Sequence, residues 1–498
     1  MKILIFLYIL YKINMISPSS LFSLVKALTR TGTNLMAMLE VAVTKYNKRV
    51  AIIDDDRSIT FKQLYIESNQ LADYVFQFEG IREGKKVAIL CRNHILLIES
   101  IFAVSRVGAD LYLLNTDLGN EQVNNLLSSN KYDAIIYDSE FSSLVVNARC
   151  NGKKIDIKLL NQLTHCTSKI PRASSGKLIL QTGGTTGTPK VAGHKPSLLN
   201  YLNPLSTMIR RMNILHYKSA YIGTPIFHGY GLALLLLFIA LGKKCLVTKR
   251  FDAKHANHII NQHRVELITV VPIMLQRLLQ LNNTNLQSLQ CIASGSAKLN
   301  PKLVQLTSSR LGNVLYNLYG TSETGLNMIA TPRDLNFSAL TIGKKIFGSH
   351  IKIVDKMGKE VNSGVIGEIM VKNSWSQKYR INRWILTGDL GYQDKNGYFY
   401  LSGRTDDMII SGGENVYPSD VEHILSEHSE IEDVAVTGVL DEEFGERLRV
   451  FVKTTSLTEE DIRKWLSTRV ARYQMPREIV IVDCIPYTPL GKKDLKRL

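Results

Sequence analysis

Along most of the chain, short wholly apolar runs alternate with longer stretches in which apolar positions return every three, four or seven residues. The short runs read as buried strands: KVAIL (86–90), YDAIIYD (132–138), KLIL (177–180), KCLVT (244–248), ELITVV (266–271) and CIAS (291–294). The longer stretches read as helices. Thr60 can cap one whose buried stripe is Leu64, Leu71 and Val75; IESIFAVSRVGA ends another near Gly108, and PIMLQRLLQL supplies a third. Strands alternating with helices predict an α/β protein with parallel, doubly wound sheets.

The pattern changes after about residue 343. Polar turns (GKE, NSG, DKNG) break the chain up to Gly403, which predicts a small antiparallel β unit. Beyond Arg404, PSDVEHIL has the spacing of a capping box, Ser419 with Glu422, opening a helix. VAVTGVL and RVFVKT read as strands, and Thr458 caps a helix in TEEDIRKWLSTRV. The expected organisation is an extension over 1–33, a large N-terminal domain over 34–403, a boundary at 404–406 and a small α+β unit over 407–498.

Composition narrows this only slightly. With 498 residues, 45% hydrophobic and 21% charged, the chain is neither low-complexity, collagen nor coiled coil. A net charge of +17 suits anionic partners. The basic residues form no aromatic-interleaved patch, so nucleic acid is not expected among them. The six cysteines are far apart with no CxxC pair, which argues against a metal cage or disulfide framework and for a reducing, cytoplasmic setting. An apolar run from Ile3 to Tyr11 is too short to span a bilayer and has no cleavage site after it. Three readings stay open for it: a peripheral membrane anchor, an export signal, or an extension or mis-assigned start.

Candidate chemistry begins at TGGTTGTPK (182–190), after the strand-like KLILQ. Its glycines, hydroxyls and lysine are what a polyphosphate needs. A Walker A loop is excluded, because Pro189 and Val191 stand where Gly and the metal-binding hydroxyl belong. Further along come SGSAKL (294–299), YGTSETG (319–325), TGDLGY (387–392), GRTDDMIISGGENVYPSDVE (403–422) and PYTPLGKKDLKRL (486–498). With these motifs in this order, the chain resembles the adenylate-forming superfamily of acyl-CoA synthetases, peptide-synthetase adenylation domains and luciferases, from about residue 34 to its last residue.

The resemblance implies an ATP- and Mg²⁺-dependent ligase that makes an acyl-adenylate and passes the acyl group to coenzyme A. Thr182, Gly184, Thr185, Thr186, Gly187 and Lys190 match the loop that holds the β/γ-phosphates, with Ser322 reaching the phosphate and Glu323 holding Mg²⁺. Gly295, Ser296, Ala297, Tyr319 and Gly320 match the adenine site; Asp389 and Arg404 match the ribose contacts, and Asp406 the hinge. Lys492, on a flexible tail, matches the catalytic lysine, with Glu323, Thr185 and His228 as further catalytic groups. Ser411, Gly412 and Gly413 match the loop along the pantetheine arm. In PIFHGYG (225–231), His228 stands where amino-acid-activating members carry Asp, so an amino-acid substrate is not expected. The apolar LALLLLFIALG (232–242) reads as an acyl-tunnel wall or simply a buried helix. The overall texture points to a medium- or long-chain fatty acid. A ligase loading a carrier protein and a non-catalytic adenylate-binding regulator are the alternatives. TGG for TSG, Val191 for Gly and a Lys pair before the C-terminus depart from the pattern without removing a catalytic group.

Overall fold

The computed structural model describes residues 7–9, 11–12, 17–162, 169–182, 190–194, 202–281, 284–376, 383–411, 414–441, 444–488 and 491–498. They divide into two compact units: Met1–Val270 with Met274–Ala293 and Ser374–Ile381, and Val271–Ile273 with Ser294–Asn373 and Asn382–Leu498. This division does not follow the expected boundary at 403–407.

The first unit is α/β, as the apolar rhythm predicts. In one sheet the parallel strands Lys153–Asp156, Ala134–Tyr137, Lys86–Leu90, Asp110–Leu113 and Leu178–Thr182 lie side by side in that order, with Lys190–His194 antiparallel at the edge. The second sheet runs Ser58–Thr60, Val50–Ile53, Lys244–Val247, Ser219–Ile222, Leu267–Val270 and Cys291–Gly295. The helix Phe61–Gln77 starts at a full capping box between Thr60 and Gln63 and buries Leu64, Leu71 and Val75. Gly229–Ala240 packs on the helix Leu35–Tyr46 and on two strands of the second sheet, so its apolarity reflects burial. Within the expected extension, Pro18–Thr31 forms a helix with Ala27 and Thr31 buried. No helix among the described residues is long and apolar enough to cross a membrane.

Folding gathers Cys91, His94 and Asp138 at the ends of two strands, with their donor atoms within 4.8 Å of one another. His94 Nδ1 accepts the Leu97 N–H at 3.1 Å as the cap of the helix Ile95–Arg106. Nε2 therefore carries the ring proton and donates it to Asp138 Oδ1 at 2.7 Å. With both ring nitrogens committed, the trio caps a helix and does not offer a cation cage.

The second unit begins with an antiparallel sheet in the order Leu315–Thr321, Gly325–Ala330, Thr341–Lys345, Phe399–Arg404, Ile385–Gln393, Gly367–Lys372 and His350–Val354. Its core is Met328, Ile342, Ile369, Val371 and Phe399. A second sheet places Glu414–Val416, Ile409–Ser411, Gly445–Lys453 and Asp433–Asp441 in order, with Glu478–Ile481 parallel to Gly445–Lys453. The helices Pro418–Ser426 and Glu459–Ser467 cover it through Val421, Leu425, Ile462 and Leu466. Thr458 caps the latter as expected. Ser419 does not cap the former: Pro418 already occupies the first turn, and the Ser419 hydroxyl donates to the Ser402 carbonyl.

Candidate active site

In the second unit, a hairpin puts Asp389 directly opposite Arg404. Arg404 Nη1 donates to Asp389 Oδ1 at 2.9 Å, and the Tyr319 hydroxyl donates to Oδ2 at 2.7 Å. Burial pushes the Asp389 carboxyl above its usual range; Tyr319, Arg404 and Lys492 pull it down without cancelling that rise. The result is a buried acceptor with two oriented oxygens, which suits a pair of neighbouring hydroxyls. The glycine of TGD has a steric reason. Gly388 sits at φ +76°, and a Cβ there would come within 3.0 Å of Arg404 Nη2. Tyr319 is only 7% exposed and its ring belongs to the sheet core, so it also works as packing and as the support of Asp389.

Ser322 and Glu323 ride on the turn between Leu315–Thr321 and Gly325–Ala330. Thr321 Oγ1 accepts the Thr324 N–H at 3.2 Å, and buried Asn327 donates to Thr324 Oγ1 at 2.6 Å. Asn373 donates to the Thr324 carbonyl at 2.9 Å. Gly320 must lack a side chain, since a Cβ would lie 2.3 Å from the Gly325 carbonyl oxygen. A half-buried carboxylate on so constrained a turn is a hard oxygen donor, which fits a magnesium ion shared with phosphate.

At the end of the strand Cys291–Gly295, the backbone turns left-handed at Ser296, φ +68°, between buried Gly295 and half-buried Ala297. Beside them the buried Ser294 hydroxyl has no hydrogen-bond partner among the described residues, and neither has Arg404 Nε. Such unsatisfied polar atoms fit a site made to receive a polar ligand. Ser411 is fully buried opposite Gly445; Gly412 and Gly413 lie outside the described residues. Lys492 is exposed, and its charge reaches Asp389 and Asp407. Lys493 instead pairs with Glu422 at 2.8 Å.

In the first unit, Thr182 and Lys190 are cross-strand partners at the ends of two strands. Gly184, Thr185, Thr186 and Gly187 lie outside the described residues. His228 precedes the helix Gly229–Ala240. Its loop is tied down by a residue the motifs did not reveal: buried Asn93 accepts the Ile226 N–H at 2.9 Å and donates to the Thr224 carbonyl at 3.2 Å. No sequence signal links positions 131 and 133 residues apart.

The profile of the family described as AMP-binding enzyme matches residues 39–378, and that of the AMP-binding enzyme C-terminal domain matches 420–492. This chain is an AMP-binding enzyme. Among its relatives, the 2-succinylbenzoate–CoA ligase of Geobacillus kaustophilus is 30% identical over 482 residues, covering 91% of this chain and 95% of that protein. Among solved structures, o-succinylbenzoate CoA synthetase from Bacillus subtilis in complex with the acyl-adenylate OSB-AMP matches with a TM-score of 0.81 at 26% identity, covering 92% of this chain and 96% of that one. The same enzyme with ATP and magnesium ion matches equally well, at 0.81 and 26%, over 93% and 98% of the two chains. This AMP-binding enzyme is an acid–CoA ligase of the AMP-forming kind: it activates a carboxylate with ATP and Mg²⁺ and transfers the acyl group to CoA.

Proposed function

We propose that the carboxylate is 2-succinylbenzoate or a close aromatic analogue. The carrying observation is the activity of relatives that match about nine-tenths of the chain. The fatty acid expected from sequence texture gives way to it, because these relatives act on 2-succinylbenzoate.

The first half-reaction brings an anionic carboxylate against an anionic phosphate, so charge neutralisation and in-line positioning govern it. Thr182, Gly184, Thr185, Thr186, Gly187 and Lys190 hold the β/γ-phosphates. Glu323 holds Mg²⁺, which neutralises phosphate charge when bound, and Ser322 adds a hydroxyl. Gly295, Ser296, Ala297, Tyr319 and Gly320 line the base, and Asp389 with Arg404 takes the ribose. Lys492 neutralises charge at the α-phosphate, and His228 closes the ATP site toward the acid. In the second half-reaction residues 407–498 turn about 404–406, and Ser411, Gly412 and Gly413 flank the pantetheine arm. In this reading residues 1–33 take no part in the chemistry.

Steady-state pyrophosphate release with CoA across 2-succinylbenzoate, benzoate, acetate, octanoate and oleate tests the substrate. We expect kcat/KM for 2-succinylbenzoate to exceed that of every straight-chain acid by at least roughly a hundredfold, the scale of discrimination set by the shape of an apolar pocket alone. A preference for octanoate or oleate would overturn the assignment and restore the fatty-acid reading.

A further inference from the structure

Lys492 does not sit on a loose tail. The Thr488 N–H donates to the Lys492 carbonyl at 2.7 Å, the Gly491 N–H to the Thr488 carbonyl at 2.8 Å, and the Lys492 N–H to Thr488 Oγ1 at 3.2 Å. Tyr487 and Lys493 bridge antiparallel, and the Asp494 N–H donates to the Pro486 carbonyl at 2.8 Å. These contacts close a short loop with Lys492 near its end.

The base of that loop is held by two carboxylates. The Tyr487 hydroxyl lies 3.0 and 2.9 Å from the two carboxylate oxygens of Asp433, at the start of the strand Asp433–Asp441. Lys493 Nζ lies 2.8 Å from Glu422 Oε2. The other oxygen of Glu422 accepts the Val436 N–H at 2.9 Å, so one side chain ties helix, strand and loop together. Both members of the Lys493–Glu422 pair are about a quarter exposed (26% and 23%), which shields it better than a surface pair. Successive side chains of extended chain point to opposite sides. Pinning Lys493 to Glu422 therefore turns Lys492 the other way, toward solvent and within electrostatic reach of Asp389.

We infer that Glu422 and Asp433 are positioning residues of the adenylation step, which hold Lys493 and Tyr487 so that Lys492 is presented to the acyl and phosphate groups already oriented. The inference rests on the assignment of Lys492 as the catalytic lysine.

The test separates the two half-reactions, using whichever acid of the panel the wild-type enzyme turns over. Adenylation is read by ATP–pyrophosphate exchange, and thioester formation by supplying the synthetic acyl-adenylate with CoA. Lys492→Ala should abolish exchange. Glu422→Gln, Asp433→Asn and Tyr487→Phe should each slow exchange roughly tenfold or more, the scale expected when a catalytic group loses its orientation. The KM for ATP and the thioester half-reaction should stay as in wild type. The charge-reversed double variant, Glu422→Lys with Lys493→Glu, should recover part of the rate lost by Glu422→Lys alone, since it restores the ion pair but not the acceptor of the Val436 N–H. Exchange that survives Lys492→Ala would remove the assignment beneath the inference and the inference with it. If Lys492→Ala is inactive, the inference alone is overturned by unchanged exchange in the other variants. Parallel loss of both half-reactions without recovery in the double variant would overturn it too, since that is what general unfolding of the C-terminal part produces.

Discussion

Asp389 sits where burial favours its neutral form, with a tyrosine and an arginine turned toward it. Its folded pKa lies above the unfolded value, so the native state takes up a proton first as pH falls. The associated stability is present below the unfolded value and is lost as pH rises through the folded one. Asp389→Asn should therefore melt no lower than wild type at pH 7, with any gain shrinking as pH approaches 4, while the KM for ATP rises at least about tenfold, the effect of one oriented hydrogen-bonding group. Calorimetric melts and exchange kinetics check both halves; a variant that melts clearly lower at pH 7 would contradict the account. Short motifs mark Asp389 and Arg404 as candidates in the sequence, and the hairpin pairs them. The Tyr319–Asp389 hydrogen bond could not be read there, because 70 residues separate the pair and only the sheet brings them together.

Elements were readable where a local signal decides them. The caps at Thr60 and Thr458 follow from side-chain reach within one turn. Ser419 misled because Pro418 had already set the helix start. Two loops carry consequences for activity. Gly320→Ala would drive a Cβ toward the Gly325 carbonyl and shift the turn bearing Glu323. The magnesium concentration for half-maximal activity should rise several-fold, as hard-cation sites depend on ligand placement; an unchanged magnesium titration would remove Glu323 from that role. Asn93→Leu would leave the Ile226 N–H and Thr224 carbonyl without their partner. At about 1–3 kcal/mol for a stranded buried group, the loop before His228 should loosen. The KM for the acid should then rise while the KM for ATP holds; equal changes in both would refute the link between this loop and the acid.

At the scale of the molecule, alternating strands and helices announced the α/β class, but the antiparallel part begins at Leu315–Thr321, earlier than the polar turns after residue 343 led one to expect. The helix Pro18–Thr31, capped by Ser17, lies within the expected extension 1–33, to which the sequence assigned no fold. Ala27 and Thr31 are buried, and Arg30 pairs with Glu40 at 3.0 Å, so this helix is part of the fold. Deleting residues 1–33 should lower the melting temperature by roughly 1–2 °C, the shift that about 1–2 kcal/mol makes in a chain of 498 residues. An unchanged melt would mark the helix as an appendage. The substrate was least legible, because apolar residues in a packed helix look the same whether they line a tunnel or fill a core.

The central claim, activation of an aromatic acid through an adenylate and onward to CoA, can be met by one mass-spectrometric measurement. The purified protein is mixed with ATP, Mg²⁺ and 2-succinylbenzoate, and the products are analysed before and after CoA is added. The account expects the acyl-adenylate to accumulate without CoA and to convert to the thioester once CoA is present. Failure to form that adenylate, in a preparation that makes one from octanoate or oleate, would contradict it.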